Sequence, residues 1–69
     1  MKTPELMDEV NELGMFEGTI RIRARILQQV ESGVVRTTRC YIYGLIDALE
    51  MCSADPVMIT QLYRILNKL

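Results

Sequence analysis

The stretch from Phe16 to Glu31, Phe-Glu-Gly-Thr-Ile-Arg-Ile-Arg-Ala-Arg-Ile-Leu-Gln-Gln-Val-Glu, decides what this chain can fold into. Two periods compete in it. Ile20, Ile22, Ala24 and Ile26 alternate with Arg21, Arg23 and Arg25, which is the period of a half-buried strand made of β-branched residues. Glu31-Ser32-Gly33 would then turn a hairpin into Val34–Tyr43, itself rich in strand formers. Read as a helix, Phe16, Ile20, Ala24, Leu27 and Val30 share one side, with Ile22 and Ile26 beside them. Arg21, Arg25 and Gln28 fall opposite, and Gly33 ends the helix in left-handed geometry.

Each reading has a cost. The strand loses its alternation where Leu27 follows Ile26, and Gln28, Gln29 and Glu31 favour helix. The helix leaves Thr19 and Arg23 inside the apolar arc. A charged group there must be paired. It finds either an Asp or Glu of the first helix or another chain. The helical reading predicts an all-α bundle; the alternative is α+β with a hairpin over 19–43.

The flanking segments favour the all-α choice. Thr3-Pro4-Glu5 reads as a helix start, with Thr3 as cap, Pro4 at the first position and Glu5 at the positive end of the dipole. Leu6, Met7, Val10 and Leu13 form a helical stripe, and Gly14 stops it, giving a helix over about 3–13. A third helix starts near Thr37 or Thr38. Tyr41, Ile42, Leu45, Ile46, Ala48, Leu49 and Cys52 cover most of its circumference; Arg39, Asp47 and Glu50 share one polar side. Gly44 in its middle predicts a close helix contact. Ser53-Ala-Asp-Pro56 is the sharpest boundary, with Asp55 capping a last helix. There Met58, Ile59, Leu62, Ile65, Leu66 and Leu69 face inward, with Tyr63 at the edge, and Thr60, Gln61, Arg64, Asn67 and Lys68 face water. Residues 1–69 thus form one small helical domain.

A chain of 69 residues buries only about 60% of the surface its unfolded form exposes. Chains this small usually recruit a staple, a metal or a partner. A metal is disfavoured, because there is no histidine and no Cys-x-x-Cys. Cys40 and Cys52, on one helix, would stand roughly 18 Å apart along its axis, beyond the roughly 7 Å a disulfide spans. They read as small core residues in a reducing compartment. A partner remains, and the expectation is a homodimer sharing the core made by residues 38–52 and 56–69. No apolar run approaches the roughly 18 residues of a membrane span, and the acidic start argues against a signal peptide. The expected location is the cytoplasm.

The charge is segregated. Residues 1–17 carry Lys2 against Glu5, Asp8, Glu9, Glu12 and Glu17; residues 18–39 carry Arg21, Arg23, Arg25, Arg36 and Arg39 against Glu31. Either the two segments pack together, or each meets an outside partner of opposite sign. A catalytic triad lacks its histidine, Gly14-x-x-x-Gly18 lacks the Lys-Ser/Thr of a phosphate loop, and no paired carboxylates have an evident pocket. The sequence predicts no enzyme and no cofactor. The candidate binding residues are Arg21, Arg23, Arg25, Arg36 and Arg39, with Tyr41 and Tyr43 interleaved near the last of them. They suit a protein partner, or a phosphate-bearing one such as nucleic acid or a nucleotide. A helix-turn-helix over 38–68 fails, since its second helix carries only Arg64 and Lys68.

Gly14-Met-Phe-Glu-Gly18, followed by Arg21, Arg23, Arg25 and Ile26-Leu27, resembles a pattern in short helical proteins of tailed bacteriophages. There a glycine–aromatic–x–x–glycine step opens a helix bearing an Arg-x-Arg-Ile run. The likeness covers residues 14–27 and departs where Met15 precedes Phe16 and where Ile20 and Ile22 replace common acidic residues. It implies a non-catalytic inhibitor that binds and blocks a host protein of defence or transcription.

Overall fold

The computed structural model describes residues 3–15 and 18–69, Met15 by its backbone alone. The expected place of Phe16 on the apolar arc therefore lies outside the described residues. The fold is all-α, with four helices: α1 (Pro4–Glu12), α2 (Ile20–Ser32), α3 (Val35–Met51) and α4 (Pro56–Lys68). Among the described residues there is no strand, so the hairpin over 19–43 is excluded; α2 and α3 occupy that span. The radius of gyration, 11.0 Å, is what one compact domain of this length should have, about 11 Å.

Local chemistry sets the ends. Thr3 accepts the Leu6 amide at 3.2 Å, and Pro4 follows at the first helical position. Gly14 does not stop α1 in left-handed geometry as expected. The chain tightens instead into a 3-10 turn over Leu13–Met15. Gly33, at φ 77°, closes α2 as expected. Asp55 caps α4 by accepting the Val57 amide at 2.9 Å. The start of α3 differs from expectation: Val34 is its cap, and Thr37 and Thr38 lie inside the first turn. Both hydroxyls donate back to the Val34 carbonyl, at 3.1 and 2.9 Å, so they are used within the helix.

The helices close into a ring. Each packs on its neighbours in the chain, and α1 meets α4 to complete the circle. Leu6, Val10 and Leu13 of the N-terminal segment, Ile26 and Val30, Ile42 and Ile46, and Leu62 and Ile65 fill the centre, all buried. Within 38–52 and 56–69, the stretches expected to share a core with a second copy, Ile42, Ile46, Leu62 and Ile65 are covered within one chain, while Tyr43, Met51, Val57 and Tyr63 are exposed.

Four expected placements change. On α2 the buried line is Thr19, Ile26 and Val30 with Ile22 and Arg23 half-buried, while Ile20 and Ala24 face out. The arc is rotated from the apolar one because hydrogen bonds let Thr19 and Arg23 turn inward. Cys40 and Cys52 are exposed and not core residues, since Thr38, Ile42, Ile46 and Leu49 already line the inner side of α3. A Cβ on Gly44 would meet nothing within 4 Å, so the expected close contact is absent among the described residues. In α4, Gln61 is buried rather than on the wet face. Its Nε2 donates to the Glu9 carbonyl at 2.8 Å, across the junction with α1. No buried side-chain nitrogen or oxygen among the described residues lacks a partner.

Candidate functional site

Arg23 is a brace between helices. It is half-buried on α2, and its Nη2 donates to Asn11 Oδ1 on α1 at 2.6 Å. The partner comes from the first helix, one of the two sources expected, but it is an amide and not the expected carboxylate. Gly14 makes room for it: a Cβ there would stand 3.2 Å from Arg23 Cδ. Thr19, buried beside it, donates its hydroxyl to the Leu13 carbonyl. The acidic and basic segments therefore do pack together, and at this point the acidic segment contributes neutral groups, the Asn11 amide and the Leu13 carbonyl.

The remaining candidates divide into two groups. Arg21 and Arg25 are one turn apart on α2, exposed, and directed away from the core. Beside them Ile20 is 71% exposed, with Ala24 and Gln28 completing the outward side. Arg36, Arg39 and Tyr43 are exposed on one flank of α3. Tyr41 is half-buried against the core and is a packing residue first. Permanently charged guanidinium groups on helices bind carboxylates or phosphates in a forked geometry, and a neighbouring large apolar side chain favours a protein surface.

Sequence reasoning missed Ile20 as a surface residue, having placed it in the core. The signal that finds it is steric and polar together: Asn11, Gly14, Thr19 and Arg23 make sense only if the helix turns Thr19 and Arg23 inward, which expels Ile20. It also missed Met51, 87% exposed near the end of α3. The described residues enclose no pocket and hold no group of His, Cys, Asp or Glu placed for a metal ion. No helix among them is long and apolar enough to cross a membrane. No known protein family, characterised protein or solved structure matches the chain.

Proposed function

We propose that this chain is a non-catalytic protein-binding module that meets an acidic patch of a partner protein through the outward side of α2. The observation that carries this reading is Ile20, a large apolar side chain 71% exposed beside two exposed arginines. Covering such a side chain contributes roughly 1.5–3 kcal/mol to an interface, and the arginines fix orientation and reject basic surfaces. A more specific version, a phage-made inhibitor of a host defence or transcription protein working in the host cytoplasm, is supported by the likeness of residues 14–27.

The second reading is a small regulator that binds nucleic acid or a nucleotide through Arg21, Arg25, Arg36 and Arg39, all exposed. Salt separates the two. Four phosphate contacts give a slope of about −3.6 in log affinity against log salt, a loss of roughly 80-fold between 0.15 and 0.5 M. A contact with an apolar centre loses much less. The test is affinity capture from bacterial lysate, with and without nuclease treatment, at both salt concentrations, with native chain, Ile20→Asp and Arg21→Glu/Arg25→Glu. A protein retained by the native chain at high salt and lost by both variants is the expected result. Retention of nucleic acid alone, released at high salt, refutes the protein-binding reading.

A further inference from the structure

The outer flank of α3 carries Arg36, Arg39, Tyr43, Asp47 and Glu50, all exposed, with Tyr43 at 52%. At roughly 100° per residue the five fall within about 80° of the helix circumference. Their spacing is symmetrical about Tyr43: three and four residues on one side, four and three on the other. Their charge is antisymmetrical, two arginines against two carboxylates.

That pattern is unfavourable for a lone helix in two ways. The arginines stand toward the N-terminal end of α3 and the carboxylates toward its C-terminal end, the reverse of what the helix dipole favours. Arg36 and Arg39, and again Asp47 and Glu50, are neighbours of like sign at i, i+3. The nearest opposite charges within the flank, Arg39 and Asp47, are eight residues apart, about 12 Å along the axis.

We propose that this flank is the docking surface for a second copy of the same chain, with the two α3 helices antiparallel about a two-fold axis at Tyr43. In that register Arg36 faces Glu50 of the second copy and Arg39 faces its Asp47. Each pair occurs twice, and Tyr43 lies against its own image. Each arginine then approaches the partner's carboxylates and its negative helix end, which offsets both penalties. An isologous contact needs a self-complementary surface, and a palindrome of opposite charges supplies one. A foreign partner would place no such demand on the spacing. One helix face is smaller than a standard interface, so the dimer is weak and concentration-dependent. The α2 face takes no part, so failure of this inference leaves the target-binding reading standing, and the converse holds.

The test uses two charge-reversed chains, Arg36→Glu/Arg39→Glu and Asp47→Lys/Glu50→Lys, in sedimentation velocity at concentrations up to about 1 mM. The native chain should dimerise. Each variant alone should sediment as a helical monomer, because every facing pair is then like-charged. An equimolar mixture should restore a one-to-one dimer, which also proves both variants folded. In a Cys40→Ser/Cys52→Ser background, Tyr43→Cys should form a disulfide-linked dimer and Ala48→Cys should not. A native chain monomeric at the highest concentration, variants as dimeric as native, a mixture that stays monomeric, or equal crosslinking at both positions would overturn the proposal.

Discussion

Replacing Gln61 with methionine should cost this fold more than any other change to a polar side chain of α4. The reason lies at the end of α1. Leu13 turns its amide to the Val10 carbonyl, three residues back, as the helix tightens into its 3-10 turn. The Glu9 carbonyl thereby loses the donor that a continuing α-helix would give it. Gln61 supplies that donor from α4, at 2.8 Å and only 6% exposed. Methionine keeps the unbranched shape and approximate volume, so packing changes little. What goes is the donor, and a carbonyl left without one in a part-buried place costs about 1–3 kcal/mol. Methionine also adds some apolar burial, which makes the measured loss a lower bound.

In a domain of this size each kcal/mol moves the melting temperature by about 4–8 °C. A fall of roughly 4–24 °C is therefore expected in a thermal melt followed by circular dichroism. Thr60→Ala is the control. It removes an exposed hydroxyl bond to the Pro56 carbonyl on the same helix, and should stay within about 0.5 kcal/mol of native. If Gln61→Met melts within about 2 °C of native with unchanged helicity, the bond to Glu9 does not secure α1 and the argument fails.

Ile46→Ala, at a site 1% exposed, should cost about 2–5 kcal/mol, most of what so small a domain has; an unshifted urea midpoint would contradict the ring core. Alanine should act in opposite senses at two glycines that both have open space around them. At Gly33, where φ is 77°, it should destabilise by about 1 kcal/mol. At Gly44, inside a helix, it should stabilise by up to about 1 kcal/mol. Denaturant midpoints that move the same way for both would refute the backbone assignment.

Much of the architecture was legible in the residues because punctuation and period agreed. Thr3-Pro4, Gly33 and Asp55-Pro56 mark ends that backbone chemistry enforces, and α4 shows its apolar face with a single period. The phase of α2 was less legible. Hydropathy weights Ile20 and Ala24 above Thr19 and Arg23, yet the buried side is decided by which polar groups find partners, and Asn11 and the Leu13 carbonyl come from another element. Gln61 was misread for the same reason: its donor serves a carbonyl 52 positions away. Thr37 and Thr38 look like caps because hydroxyls cap well, but the same hydroxyls bond backwards with equal ease. Of the candidate binding residues, the arginine positions were visible. Their division between a brace, an α2 patch and an α3 flank needed the rotation of each helix.

The meeting of α1 with α4 joins the parts of the fold most distant along the polypeptide. Contacts of that span repay their loop-closure entropy last, after α2, α3 and α4 have found one another. Damage at the Gln61–Glu9 seam should accordingly appear as faster unfolding in stopped-flow traces, with the refolding limb left where it was. The first helix then behaves as a latch, and its release, rather than melting of the centre, sets how long a molecule survives.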